Sequence, residues 1–167
     1  ARRRNEHMTG AAGPRRPAST KRRRHAREPA RHNETAAHYL SAGVPRVRPG
    51  LTAGEVVEYL LTHRHDVADV VCITDEQEQL LGLLPLAQLF TLPREQVIGE
   101  VMHADCPRIH PDEDQERVAS LALHHMLSAV PVVDRGGRLL GVVPSTALLH
   151  ILRREHVEDL HRFAGIT

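Results

Sequence analysis

A mixed α/β (α+β) fold is what the sequence predicts: two similar halves whose small sheets pack together, with flanking helices. Three observations carry that expectation. The stretch DRGGRLLGVVPSTALL at 134–149 repeats DEQEQLLGLLPLAQLF at 75–90. Each copy reads as strand, strand, helix, with a polar turn between the strands. Each half, at about 60 residues, is too short to enclose much of a core alone.

The first 35 residues stand apart. They hold 11 of the chain's 22 Lys and Arg but only three acids, Glu6, Glu28 and Glu34. The other residues therefore carry 11 basic against 18 acidic side chains, so a basic arm precedes an acidic globule. Arg, Pro, Ala and Gly without apolar periodicity predict disorder for residues 1–35. RRR and KRRRHAR suit an anionic membrane surface. They do not suit specific nucleic-acid recognition, because no groove-reading helix or aromatic accompanies the charge. Aromatics are 2% of the chain, which also argues against modules that stack bases on aromatic platforms.

Residues 36–100 then read as a first repeat, 101–156 as a second, and 157–167 as a closing helix or connector. Each repeat opens with a short extended piece ending in Pro, VPRVRP and CPRIHP. A helix follows behind a capping residue: Thr52, with Glu55 at capping-box spacing, and Asp114 ahead of QERVASLALHHM. Val56, Val57, Leu60 and Leu61 are expected on one buried face, as are Val118, Leu121, Ala122 and Met126. The apolar pairs DVVCIT and LLGLLP, then AVPVV and RLLGVVP, read as strands buried on both sides. A short helix is expected after Pro85 and a long one after Pro144. Val71, Asp75, Leu80, Gly82, Pro85 and Leu89 recur 59 residues later; Val47, Pro49 and Val56 recur at 62. The chain is an internal duplication, and its two strand faces should close on each other around a cleft.

Much chemistry is absent. Two cysteines, Cys72 and Cys106, form no disulfide framework. The longest apolar run, LLGLLPLAQLFTL, is too short to span a bilayer. His103, Cys106 and His110 have ligand-like spacing, but Pro107 and an extended segment intervene, so they read as loop residues. No Ser–His–Asp order, phosphate loop or HExxH motif appears, and catalysis is not expected.

A pre-helix Pro, an amphipathic helix, VPVVD, then GRLLGVV and a helix resemble a cystathionine-β-synthase (CBS) domain. The duplication over about residues 36–156 resembles a CBS pair, or Bateman module. More narrowly, DEDQERVASL at 112–121 and REHVEDLHRFAGI at 154–166 are similar to the CBS region of MgtE-type magnesium transporters. That resemblance implies a homodimer on the cytoplasmic side of the membrane, joined to a transmembrane pore domain following Thr167.

It also implies a regulatory Mg²⁺ held by Asp114, Glu116, Glu155, Glu158 and Asp159. Magnesium takes hard oxygens and keeps much of its water, so a few convergent carboxylates suffice. Without the cation, two unit charges about 6 Å apart repel by roughly 3 kcal/mol at an effective dielectric of about 20. A few such pairs would bias a two-state assembly that the bound ion reverses. The sequence departs from the family where acids are usual, at Ala147, His150 and Met126, which implies weaker affinity. Asp114 and Glu116 also suit the start of a helix without metal.

CBS pairs that hold adenosine nucleotides grip the ribose with a Thr or Ser and an Asp three residues later. The matching positions are Pro85 with Gln88 and Pro144 with Ala147, so the carboxylate is missing from both. Gln88 is a poor substitute, while Ser145 and Thr146 still offer donors to a phosphate. ATP or AMP is therefore the lesser expectation. An adenosine-nucleotide-binding module, stand-alone or attached to another effector, and a purely structural dimerisation unit are the alternative functions.

Overall fold

The computed structural model describes residues 34–165, apart from the side chains of Glu155 and Glu158. The expectation for the basic arm lies almost wholly outside that range. The described chain runs α1 (Ala36–Tyr39), β1 (Arg46–Val47), α2 (Ala53–Thr62), β2 (Val70–Thr74), β3 (Leu80–Pro85) and α3 (Leu86–Leu89). After a 3-10 turn at Ile98–Glu100 come α4 (Gln115–His124), β4 (Ala129–Val133), β5 (Leu139–Pro144) and α5 (Ser145–Phe163). Among the described residues no helix is long and apolar enough to cross a membrane.

Helix starts follow the capping chemistry. Thr52 Oγ1 accepts from Glu55 N at 3.4 Å, and Glu55 Oε2 accepts from Thr52 N at 2.8 Å. Asp114 caps α4 by accepting from Glu116 N at 2.8 Å. Both helices nevertheless stop burying their apolar stripe early. Leu61 is 80% exposed and Met126 92%, against the buried faces expected for them. The reason is geometric: Leu61 lies in the last turn of α2, and α4 ends at His124, after which Met126 turns left-handed (φ 52°).

Two sheets result. β2 pairs antiparallel with β3 and parallel with β1; β4 pairs antiparallel with β5. Ile109, bridging parallel to Val132, repeats the β1 contact in the second half. Val71 faces Leu84 across one sheet and Val130 faces Val143 across the other, both pairs 59 residues apart. The hairpin turns match too. Asp75 Oδ1 accepts from the amides of Gln77 and Gln79; Asp134 Oδ1 accepts from those of Gly136 and Arg138. The left-handed turn residue is Gly137 in one copy and Glu78 in the other (φ 85° and 63°). A side chain there costs about 1 kcal/mol or more. Glu78 is tied down by Arg48 at 2.8 Å and Arg46 at 3.5 Å.

Strand alternation builds three clusters. Val71 and Ile73 join Val47, Val56, Leu84 and Leu89. Val130, Val132 and Val143 join Ile109, Val118 and Leu148 in the second half. Val70, Cys72 and Leu83 meet Ala129, Val133 and Val142 in a cluster shared by both sheets. Burying each such side chain contributes about 1.5–3 kcal/mol, so the shared layer binds the halves into one folding unit.

The segments leading into the repeats are exchanged. Ser41, in the opening segment of the first repeat, forms two backbone hydrogen bonds with Val142 of β5, at 2.8 and 3.0 Å. His103, in the opening segment of the second, does the same with Leu83 of β3, at 2.8 and 3.2 Å. Thr35 bridges Asp114 just as Val97 bridges Thr52. Each lead-in therefore completes the opposite half. This explains the glycine in each LLG: a Cβ on Gly141 would sit 2.2 Å from Ser41 O, and one on Gly82 3.0 Å from His103 O.

Candidate functional site

Helix α4 packs on α5, which places two groups of candidate carboxylates on neighbouring elements. Asp114 is half-buried and spends Oδ1 on its helix cap; Glu116 is exposed in the first turn. Asp159 lies 3.6 Å from Arg162, both well exposed, an ion pair worth little in water. The α5 backbone carries Glu155 and Glu158 within about a turn of Asp159, but their side chains lie outside the described residues. Among the described residues, no three His, Cys, Asp or Glu side chains converge on a common metal position. Asp114, Glu116 and Asp159 thus do not make a closed cage within one chain.

The cleft residues are already engaged. His103 Nε2 lies 2.7 Å from Gln88 Oε1, within hydrogen-bond distance. Ser145 donates through Oγ to Asp69 Oδ2 at 2.8 Å, closing the second repeat's helix start against the first repeat. Thr146 is exposed in a first turn that has no side-chain cap, because Pro144 precedes it. Beside Gln88's partner His103, a cleft lined by Val70, Leu83, Pro85 and Ala129 has a volume of about 70 Å³, and a groove of about 510 Å³ lined by Met102, Asp105 and His125 shares His103 and Cys106 with it.

The soft-metal constellation does not assemble. His110 Nδ1 faces Val133 O at 3.2 Å and His103 is occupied by Gln88. Burial pushes the Cys106 thiol up and drives Cys72 up to about 12, which opposes the thiolate that a metal requires.

One polar cluster has no local signature in the sequence. Glu34, Tyr39, Gln115 and Arg154 meet where α1, α4 and α5 come together. Arg154 Nη1 lies 2.7 Å from Glu34 Oε2 and 3.4 Å from Tyr39 Oη; the phenol also touches Glu34 and lies 2.9 Å from the Gln115 amide. The phenol and then the guanidinium hold the Glu34 carboxyl below its ordinary value. Burial, then the carboxylate, pushes the phenol up.

Comparisons with known proteins agree with this architecture. The CBS domain family matches residues 98–154. MgtE magnesium transporters are similar over most of the chain. That of Thermus thermophilus is 32% identical over 122 residues, 72% of this chain and 27% of the relative. That of Enterococcus faecalis is 27% identical over 111 residues, 65% and 24%. The ATP complex of the cytosolic domain of the Mg²⁺ channel MgtE superposes with a TM-score of 0.67 at 28% identity, over 71% of this chain and 49% of that one. A CBS pair bound to 5′-methylthioadenosine and S-adenosylmethionine, at 23% identity and a TM-score of 0.62, shares the fold. The chain has the fold of a tandem CBS pair, a Bateman module, with the family model matching its second repeat. Within that class it resembles the cytosolic CBS region of MgtE-type magnesium transporters, and it spans about a quarter of those relatives' length.

Proposed function

We propose that this chain is the Mg²⁺-sensing, gating CBS-pair region of an MgtE-type transporter, regulatory rather than catalytic. The similarity over 122 residues to a magnesium transporter carries the reading. In it, the pair works as a homodimer on the cytoplasmic face, attached to a transmembrane pore domain of the same polypeptide. The basic arm lies near anionic lipid.

Two features of the molecule support the physical mechanism. Asp114 at the cap of α4, Glu116 in its first turn, and Glu155, Glu158 and Asp159 along α5 sit on packed neighbours, and Glu116 and Asp159 are exposed, as a hydrated divalent ion requires. In this reading the ion acts between elements or between subunits, where its arrival alters an arrangement. The halves also expose apolar residues at equivalent positions. Leu61 and Leu123 are 80% and 61% exposed, and Phe90 and Leu149 are 64% and 68% exposed. A partner related by symmetry would cover them.

A second reading, an adenosine nucleotide in the cleft, rests on the ATP-bound neighbour and on the open amides at the start of α5. It requires opening the cleft and breaking the Ser145–Asp69 bond. Thermal unfolding with millimolar Mg²⁺, ATP or AMP separates the readings. A ligand at tenfold its Kd stabilises the native state by about 1.4 kcal/mol, a rise of several degrees. The proposal expects that rise with magnesium alone. A rise with nucleotide alone would transfer the function to the cleft.

A further inference from the structure

We propose that Glu34, Tyr39 and Arg154 form a latch through which the segment leading into the first repeat sets the direction of the free end of α5. The consequence for cation binding, that the latch aligns the α4 and α5 carboxylates, rests on the magnesium-sensing reading above.

The position of Arg154 is the first argument. Ile151 is fully buried and Arg154 is half-buried, whereas every described residue of α5 after it is exposed. The helix runs on to Phe163, about 14 Å at 1.5 Å per residue. A rotation of about 10° at this last anchor would move the tip by about 2 Å, as long as a magnesium–oxygen bond.

The chemistry of the cluster is the second. A phenol has one proton to give. The Tyr39 hydroxyl faces two acceptors, the Glu34 carboxylate and Gln115 Oε1 at 2.9 Å, and Arg154 Nη1 lies 3.4 Å from its oxygen. One tyrosine thereby joins three elements. Gln115 is the residue between Asp114 and Glu116, and its backbone amide also donates to Glu34 O at 3.0 Å. Arg154 is the residue before Glu155. The latch therefore ties together both carriers of the candidate ligands without being a ligand itself.

The third argument is asymmetry. Gln96 and Val101 occupy the equivalent positions 62 residues after Glu34 and Tyr39, and Gln96 instead donates to Glu100 at 3.0 Å. The fold closes its first half without this cluster. The latch belongs to the half that carries the long helix.

Tyr39→Phe removes the phenol oxygen without changing charge, Glu34→Gln weakens the ion pair, and Glu34→Arg with Arg154→Glu reverses it. Amide exchange of residues 155–163 should quicken about fivefold in each single variant, while residues 56–61 of α2 stay unchanged and the reversed pair recovers. Spin labels at Leu123 and Leu160 should show a broader distance distribution in Tyr39→Phe, which guards against a helix end that exchanges fast in every form. Unchanged exchange and distance in both single variants would overturn the latch. The magnesium-induced rise in unfolding temperature should also shrink in Tyr39→Phe, although no carboxylate is lost. A loosened helix with an undiminished rise would overturn the coupling to the cation. A wild type indifferent to magnesium would defeat the sensing reading and that coupling, while the exchange arm still decides the latch.

Discussion

Glu34 shows how one side chain acquires a pH window. Its carboxyl is held below the ordinary 4.5 by the Tyr39 phenol and by Arg154, with His38 at 3.9 Å adding a smaller pull. A depressed carboxyl contributes stability that is present above 4.5 and is lost as pH falls through the lowered value. Tyr39 has the opposite sense. Its phenol is raised above 10.0, so its contribution is present below that value and is lost as pH rises through the higher one. The stability difference between wild type and Glu34→Gln should therefore be flat across the neutral range and vanish in acid; unfolding temperatures across a pH series measure it. Burial predicts a second residue-scale outcome. A thiol reagent should label half-buried Cys106 and leave Cys72 untouched until the protein unfolds, read by mass spectrometry over time. The capping roles of Thr52 and Asp114 were legible because a cap is written within three residues. The latch was not, because Glu34 and Arg154 are 120 residues apart and nothing local marks either.

At the scale of elements, periodicity located the strands well, since VVCIT and AVPVV are buried on both faces as continuous apolar runs require. Helix faces were less legible at their ends. Leu61 and Met126 fit a helical stripe, but a stripe does not say where the sheet beneath it stops. The exchanged lead-in segments were hidden for a related reason: the 62-residue offset aligns Ser41 with His103 without revealing which sheet each joins. The two glycines make that exchange testable. Gly141→Ala would drive a Cβ into the Ser41 carbonyl at 2.2 Å, whereas Gly82→Ala meets His103 O at 3.0 Å. Backbone on backbone has no rotamer to yield, so Gly141→Ala should cost about 3 kcal/mol or more and Gly82→Ala about 1–2. Thr52→Ala, which removes a capping box, should cost about 1 kcal/mol. Chemical denaturation of the three variants ranks them.

At the scale of the whole molecule, duplication solves a size problem. Neither half closes a core, but the shared cluster around Val70, Cys72, Ala129 and Val142 closes both. Gln88 and Ser145, the side chains at the starts of α3 and α5, are taken up by His103 and by Asp69. In the magnesium-sensing reading, function lies on the outer face, where Glu116 and Asp159 are exposed. That partition explains how much of the candidate site could be read beforehand. Residue types and their places on helices follow from sequence, while convergence depends on how helices far apart in the chain are set against each other. In the magnesium-sensing reading, carboxylates on α5 answer to a divalent cation. The most direct measurement is the rise in unfolding temperature with millimolar Mg²⁺ for the wild type beside Glu155→Ala/Glu158→Ala/Asp159→Ala. The account predicts a rise of several degrees in the first that largely disappears in the second. An equal rise in both would contradict it.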